Sequence, residues 1–479
     1  MSRLTGPELR AGVVLASGGL MAVLDATIVA VALPYLMGTF GATLAAAQWI
    51  ITAYTLAMVA TMPLAAGLAA RWGARRVYLG ALAAFAAASA VAGAADGLGW
   101  LIAARAAQGL GGGLMTPLGM AIGFGAVAPE RRGRMMAITG VPMLAGPILG
   151  PVLGAVLLGT GSWRALFFVT VPLALLGIAG ALAWLPADGA AGRRTRLDLA
   201  GAMLLVPGIV AVAYGISAHD APGWVRIATA AAGAVLAGVF CVRATNRPEP
   251  LLRIGLLGRP GFGRGAAVLA LYAAPYFGSA VLMPAYVQTL RSDSPAITAA
   301  LMVPGAIGMG VSLQIAARLL ERLGPRLVVG SGLGLAIAAG LAQVAVLRPD
   351  TPYALLGLLA LLQGAGTGAV MMPTMSSSSR DLDGPDLASG SALLSLVNTV
   401  ANGVGTAAVS ALFTALSGAA LTAAPGPPAQ AAIVDALRLT QAAGLVVMAL
   451  ALAVRLRAPR RPPAILERQR PSANAGQAP

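Results

Sequence analysis

The sequence predicts an all-α integral membrane protein with fourteen transmembrane helices. Three observations predict this fold class: the composition, the spacing of long apolar runs, and the distribution of arginine. Hydrophobic residues make up 58% of the 479 residues, charged residues only 10%, and the mean hydropathy is +0.83. A water-soluble fold cannot bury that much apolar surface, so the composition excludes the soluble classes.

Apolar runs of about twenty residues recur along the whole chain, and about twenty helical residues cross ~30 Å of hydrocarbon. These runs are too long for the alternating ten-residue pattern of a barrel strand, so each is predicted to be a helix. The fourteen predicted spans lie near residues 12–37, 46–70, 77–95, 98–125, 135–158, 165–185, 199–217, 226–243, 265–290, 298–317, 327–347, 353–373, 388–414 and 434–455.

The distribution of the basic residues, which are all arginine, tests this number of spans, because the arginines concentrate in every second predicted loop. Of the 32, 26 fall in segments that share one side when the N-terminus is cytoplasmic. Five lie in loops on the other side, and Arg105 lies within a span. This bias follows the positive-inside rule, and it predicts a multi-pass protein of the cell (inner, cytoplasmic) membrane with both termini in the cytoplasm. The first span lacks a small-residue cleavage site, so it is expected to be retained.

Two segments recur at nearly constant offsets. Residues 66–75 match residues 317–326 at an offset of 251, and the Gly-rich segment 108–113 matches 363–368 at an offset of 255. Duplicated halves around a midplane site are typical of secondary transporters; the alternative is chance recurrence in an Ala/Gly/Arg-rich chain. The predicted organisation is a six-helix half (1–185), two inserted helices with flanking loops (186–264), a second six-helix half (265–455) and a disordered cytoplasmic tail (456–479).

Asp25 is the one acidic residue within a predicted span, because the other fifteen fall in loops, helix ends or tails. An ionisable group at that depth costs several kcal/mol unless it is paired or protonated, so it marks a functional candidate. Arg105 lies at a similar predicted depth, and the two residues are predicted to face one cavity and to couple transport to protons. The alternative is a permanent structural contact between Asp25 and Arg105 or the backbone.

Span five carries a glycine stripe with interspersed prolines. Gly146, Gly150 and Gly154 recur every four residues, a spacing that lets another helix approach closely. Pro147 and Pro151 each remove a helix hydrogen bond and bend the span. The segment is expected to control rocking and leakage, or alternatively only to pack. The Gly111–Gly113 run lacks the strand and the Lys-Ser/Thr ending of a phosphate loop, and it is therefore attributed to close helix packing.

Together these motifs resemble the fourteen-helix drug:proton antiporter family of the major facilitator superfamily. Residues 24–34 (LDATIVAVALP) resemble the first-helix signature, residues 105–112 (RAAQGLGG) the fourth-helix motif, residues 146–154 (GPILGPVLG) the antiporter motif, and residues 163–172 (WRALFFVTVP) the entry into helix six. The resemblance implies the major facilitator fold and roles for four groups of residues. These are proton coupling (Asp25, Arg105), the fourth-helix motif (Gln108, Gly109, Gly111), the antiporter motif (Gly146, Pro147, Gly150, Pro151, Gly154) and gating (Arg71, Gly73, Arg75, Arg76, Glu321, Arg322, Gly324, Arg326).

The sequence departs from the family pattern at three positions. Ala30 stands where the family has Asn, Ala70 where it has a loop Asp, and Asn398 where it often has Arg. The loop Asp normally pairs with arginines and helix dipoles, so its loss removes one latch. Glu321, beside Arg322 in the second copy, is expected to take over part of the gating chemistry.

The predicted function is proton-coupled export of small hydrophobic or amphipathic compounds by alternating access, as in drug or antibiotic efflux. An importer or facilitator of a small metabolite on the same fold is the alternative, and a membrane receptor or enzyme is disfavoured because no catalytic or metal cluster is present. The expected partners are a small-molecule substrate, protons and lipid. No nucleic acid, cofactor or metal is expected, and the chain is expected to be a monomer.

Overall fold

The structure is a computed structural model, and it is a bundle of long helices. It describes residues 4–128, 131–140, 146, 149–150, 153–154, 156–159, 161–188, 198–217, 222–247, 250–422 and 426–457. The helices are α1 (Gly6–Phe40), α2 (Leu44–Thr61), α3 (Leu64–Trp72), α4 (Ala74–Gly93), α5 (Leu98–Gly125), α6 (Arg132–Thr139), α7 (Ala165–Phe168), α8 (Thr170–Trp184), α9 (Leu199–Ser217), α10 (Gly223–Thr245), α11 (Pro260–Gly278), α12 (Pro295–Val346), α13 (Tyr353–Ser378), α14 (Gly384–Thr422) and α15 (Pro427–Leu456).

Proline and glycine explain the breaks between neighbouring helices. Pro63 separates α2 from α3, which are bent by 54°, because proline removes a backbone donor and clashes with the preceding turn. Gly324 has φ 75 and ψ 165, so α12 is two helices joined at a kink. Pro325 follows directly and begins the second part at the position where a missing N–H costs least. After α11, short 3-10 and α turns lead into a π-helix (Ala285–Leu290).

Ten helices in the described residues are long and apolar enough to cross a membrane, or up to eleven if α2 and α3 form one span. The described helices follow the predicted spans in order along the chain. Ten or eleven such helices do not establish fourteen spans, so the number fourteen remains a prediction. Much of predicted span five lies outside the described residues.

The sequence repeat extends to the helix contacts. A Cβ added to Gly113 would lie 2.1 Å from the carbonyl oxygen of Met58, and one added to Gly368 would lie 2.1 Å from that of Met309. Gly109 faces the carbonyl of Tyr54, and Gly364 faces that of Gly305 in the same way. Met58 and Met309, like Tyr54 and Gly305, are related by the offset of 251. Both halves therefore use the same glycines to bring a helix directly onto a neighbouring backbone.

The two helices predicted to be inserted between the halves, α9 and α10, pack tightly against each other. A Cβ on Gly233 would lie 2.5 Å from the carbonyl oxygen of Gly208, so these two backbones touch. At the start of α9, buried Asp198 pairs with Arg243 at 2.8 Å. The hydrogen bond from Arg243 holds the pKa of Asp198 below its ordinary value, so the pair stays ionised at neutral pH.

Contacts between the two halves gather toward one face, here called the terminal face, at which α1 begins and α15 ends. Gln314 Nε2 donates to the carbonyl of Ala137 at 2.8 Å, which joins α12 to α6. Nearer the middle, Thr399 Oγ1 lies 3.5 Å from the Met62 sulfur. These described contacts close the interface between the halves at the terminal face.

Candidate functional site

The centre of the first half contains a buried ion pair between α1 and α5. Arg105 Nη1 lies 2.5 Å from Asp25 Oδ2, and both side chains are 1% exposed. Both helices are long apolar segments, and such segments form helices in a bilayer because the backbone has no other hydrogen-bond partner there. Asp25 and Arg105 are the charged residues in their interior. Two charges this deep remain only if they compensate each other, since breaking such a pair costs about 3–5 kcal/mol.

Gln108 completes the coordination of both charged groups. Its Oε1 accepts from Arg105 Nη1 at 2.6 Å, and its Nε2 donates to Asp25 Oδ1 at 2.7 Å. The same Nε2 donates to Ser89 Oγ on α4 at 2.8 Å. Arg105 and Gln108 are three residues apart and therefore share one helix face. Gln108 and Arg105 together tie both oxygens of Asp25 to α5, and the amide connects the site to α4.

The guanidinium of Arg105 has two further neighbours on α2. Its Nε donates to the carbonyl of Ile50 at 3.2 Å, and its plane lies over the Tyr54 ring at 4.2 Å from the centroid. Cation–π contact of a desolvated guanidinium contributes about 2 kcal/mol. Arg105 thus has partners on α2 in addition to Asp25 and Gln108, whereas within the described part of the chain Asp25 is bound by Arg105 and Gln108 alone. The carboxylate is the group whose partners a modest helix movement would change.

The glycines of the antiporter motif pack against α1 on either side of Asp25. A Cβ on Gly146 would lie 2.1 Å from Val23 Cγ1, and one on Gly150 would lie 2.0 Å from Thr27 Oγ1. Thr27 Oγ1 also lies 3.4 Å from the carbonyl oxygen of Gly146. Gly154 is helical, while Pro147 and Pro151 lie outside the described residues. The stripe therefore sets how closely this segment approaches the helix that carries Asp25.

The start of α4 is bound by an acid that the sequence analysis did not select. Asp188, four residues after the end of α8, accepts from the backbone N–H groups of Arg75 at 2.9 Å and Arg76 at 3.1 Å. The Arg75 guanidinium in turn donates to the carbonyls of Ala181 and Leu182 in α8. Gly73, at φ 91, leaves room for the carboxylate. Asp188 therefore supplies a carboxylate at this loop, where position 70 has alanine.

A second missed residue, Arg132, joins the two halves at the terminal face. It is 2% exposed, and its Nη2 lies 3.0 Å from Asp383 Oδ1. Its Nη1 donates to the carbonyls of Ser379 and Arg380, just beyond the end of α13. The cation thus satisfies orphan carbonyls at the negative end of that helix. The neighbouring Arg131 binds Glu8 within the first half.

The second copy of the loop motif has a different environment. Gly324 has positive φ, as Gly73 does, and Arg326 lies in the first turn after it. Arg322 is exposed, Arg71 lies over the Trp72 ring, and the structure does not describe the Glu321 side chain. The predicted transfer of gating chemistry to Glu321 therefore remains a prediction.

The second half does not repeat the ion pair. Tyr276 stands 251 residues after Asp25, and Tyr272 one turn earlier shares a 2.7 Å hydrogen bond with Thr367. Gln363, the counterpart of Gln108, has an unpartnered Nε2. The charge-bearing chemistry of the described residues in the membrane interior thus lies in the first half.

Repeated helical halves, the first of which contains a buried ionisable pair, define the class of this molecule, a membrane transport protein. Residues 15–408 match the family model described as Major Facilitator Superfamily. The chain belongs to the Major Facilitator Superfamily.

Several known proteins resemble the chain over most of its length. It is 33% identical to the multidrug resistance protein B homolog of Mycobacterium tuberculosis over 419 residues, which cover 86% of this chain and 77% of the relative. It is 32% identical to the puromycin resistance protein pur8 of Streptomyces alboniger over 417 residues, 85% and 82% of the two chains. The human organic anion transporter MFSD10 (TETRAN) has a similar fold, with a TM-score of 0.69, 18% identity, and coverage of 94% of this chain and 100% of that one.

Proposed function

We propose that this transporter exports small hydrophobic or amphipathic compounds, such as drugs or antibiotics, in exchange for protons by alternating access. The observation that carries the proposal is the bonding of Asp25 to Arg105 and Gln108 in the membrane interior. Relatives whose names record resistance to several drugs or to puromycin support the substrate class.

Proton coupling follows from the asymmetry of the Asp25 site. Arg105 is also held by Ile50 and Tyr54, so a proton that neutralises Asp25 removes the attraction between α1 and α5 without displacing the cation. Release of α1 would then change its packing on Gly146 and Gly150. Protonation thus changes the relative stability of two arrangements, which is the requirement for coupling.

The direction of exchange rests on the closed terminal face. If both termini are cytoplasmic, the inter-half contacts at Arg132 and Gln314 close the cytoplasmic side. The central region would then exchange with the outside, where a proton would enter and substrate would leave. Breaking these contacts would expose the same region to the cytoplasm for substrate uptake.

Reconstituted vesicles with an imposed pH gradient test the proposal. Asp25→Asn keeps the size and most hydrogen-bonding capacity of the side chain, so insertion should be retained while gradient-driven efflux is lost. Asp96→Asn is the matched control, because Asp96 makes only an exposed pair with Arg164. Full gradient-driven transport by Asp25→Asn would falsify the assignment.

An importer or facilitator on the same fold is the second candidate. The direction of transport and the response to an uncoupler distinguish it from a proton-coupled exporter. An exporter lowers the cellular content of a toxic compound in an efflux-deficient host, and an uncoupler abolishes the effect. A facilitator equilibrates its substrate with or without the uncoupler.

A further inference from the structure

Three arginines from three helices of the second half converge near the terminal face. Arg264 lies in the second turn of α11, Arg326 in the first turn after the Gly324 kink of α12, and Arg455 in the last turn of α15. Helix α15 packs against both α11 and α12. The positive charges of Arg326 and Arg264 both act on Arg455.

Helix contacts place these residues at matching depths. Gly444 of α15 lies against Pro275 of α11, where an added Cβ would be 3.2 Å from the proline Cβ. Arg455 and Arg264 are each eleven residues from that contact toward the terminal face, which is ~16 Å along either helix. Gly340 of α12 similarly lies against Leu445 of α15. Arg326 lies on the terminal-face side of that contact.

No acidic partner balances this cluster in the described part of the chain. Arg455 is 9% exposed, and its Nε has no hydrogen-bond partner. Five acids near this face have partners elsewhere: Asp383 with Arg132, Asp386 with Arg253 and Arg259, Asp198 with Arg243, Glu8 with Arg131, and Asp188 with the backbone of Arg75 and Arg76. A buried cation with like charges around it is unfavourable without a counter-anion.

Helix polarity favours an anion beside two of the three arginines. Arg326 lies in the first turn of the helix that Pro325 begins, and Arg264 lies near the start of α11. A cation near a helix N-terminus opposes the macrodipole, whereas an anion there is stabilised by the dipole and by free N–H groups. An anion bound among the three side chains would therefore relieve the charge repulsion among them and the dipole conflict at Arg264 and Arg326.

The surroundings indicate where such an anion comes from. Leu323 and Leu327 flank Arg326 with exposed side chains, and Leu456, beside Arg455, is also exposed. The site thus opens beside an apolar outer surface, where acyl chains would lie, and not only toward water. A phosphate that is attached to acyl chains matches both parts of this surface.

We propose that Arg264, Arg326 and Arg455 form a binding site for the phosphate of an anionic phospholipid headgroup in the leaflet at the terminal face. The guanidinium groups would donate charge-assisted hydrogen bonds to the phosphate oxygens. The lipid would tie α11, α12 and α15 together at one end of the second half. This site does not depend on the proton-coupling proposal for Asp25.

Thermal unfolding of the full chain in an uncharged detergent tests the site. Phosphatidylglycerol should raise the unfolding temperature of the wild type, while phosphatidylcholine with the same acyl chains and sodium phosphate should not. Arg455→Gln and Arg326→Gln should each weaken phosphatidylglycerol binding roughly tenfold, because each removes charged hydrogen bonds. Arg457→Gln, an exposed arginine at the same helix end, should keep the wild-type response.

The lipid-free measurement separates a binding residue from a structural one. Without lipid, Arg455→Gln should unfold at the same temperature as the wild type or a higher one, since it removes a buried uncompensated charge. The proposal is overturned if sodium phosphate stabilises as well as phosphatidylglycerol, which would indicate a soluble anion. It is also overturned if Arg457→Gln loses the response equally, or if Arg455→Gln is destabilised without lipid and keeps its full lipid response.

Discussion

Arg132 and Asp383 form an ion pair between the two halves, with 3.0 Å between Nη2 and Oδ1. The same guanidinium donates to the carbonyls of Ser379 and Arg380, so one side chain of the first half covers the end of α13 in the second half. Arg131, its neighbour in sequence, makes its pair with Glu8 inside the first half. Of these two adjacent arginines, Arg132 therefore binds across the halves and Arg131 binds within one half.

Arg132→Gln should open the terminal face. The substitution removes the charge from several hydrogen bonds, each worth about 1.5–3 kcal/mol, and this shifts a two-state population at least roughly tenfold. A Cβ added to Gly125 would lie 3.9 Å from Leu387 Cδ2, so cysteines at these two positions would face each other across the interface. The disulfide yield of Gly125→Cys with Leu387→Cys, in a Cys241→Ala background, should therefore fall.

Arg131→Gln is the control for that measurement, because it should leave the yield unchanged. An undiminished yield in Arg132→Gln would show that other contacts hold the halves together.

Gly146→Ala should destabilise the fold and impair transport. The new Cβ would lie 2.1 Å from Val23 Cγ1, and overpacking of this kind costs about 1–3 kcal/mol. Val23→Ala removes the clashing methyl and should restore much of the loss in the double variant. Gly119→Ala is the matched control, because nothing lies within 4 Å of the added Cβ at that position. Equal unfolding temperatures for Gly146→Ala and Gly119→Ala would contradict the assigned packing.

Asp188→Ala should lower the free energy of unfolding by about 1 kcal/mol, the usual value of a capping side chain. The N–H groups of Arg75 and Arg76 lose their acceptor, and the link from α8 to α4 is weakened. Thermal unfolding and gradient-driven efflux measure the two consequences. Asp96 is an exposed acid in the same half, so Asp96→Ala should change neither quantity. If Asp188→Ala also changes neither, Asp188 does not cap α4.

Ligand binding across pH separates competition from conformational coupling. A lipophilic cation such as tetraphenylphosphonium competes with the proton for the Asp25 charge, so its affinity should fall as the pH falls. An uncharged ligand of similar size should depend on pH only through conformation. Asp25→Asn should remove both pH dependences but reduce affinity only for the cation. An undiminished pH dependence in the variant would move the proton site elsewhere, with Glu321 as the next candidate.

Impermeant maleimide labelling tests the orientation. In a Cys241→Ala background, Asp220→Cys and Pro349→Cys should react from outside intact cells, and Arg194→Cys should not, because the arginine bias places position 194 in the cytoplasm. Labelling at 194 would overturn the topology and the placement of the inserted helix pair together.

The membrane class and the repeat were both predictable from the chain. Length and hydropathy of the apolar runs determine helices because a bilayer leaves the backbone no other partner. The offset of 251 then reappears as Gly113 against Met58 and Gly368 against Met309. Gln108 could also have been assigned to the ion pair, since it lies three residues from Arg105 on one helix face.

Tertiary structure alone decided which distant residues meet. Asp188 and Arg75 are 113 residues apart, and Arg132 and Asp383 251. For Asp25 and Arg105, the sequence predicted a shared cavity, and the structure adds the direct contact. Periodicity and composition fix which residues belong to a helix, but they do not fix its rotation, tilt or neighbours. Those depend on how whole helix surfaces fit together, as at Gly146 and Gly150, so pairings between helices appear only in the packed structure.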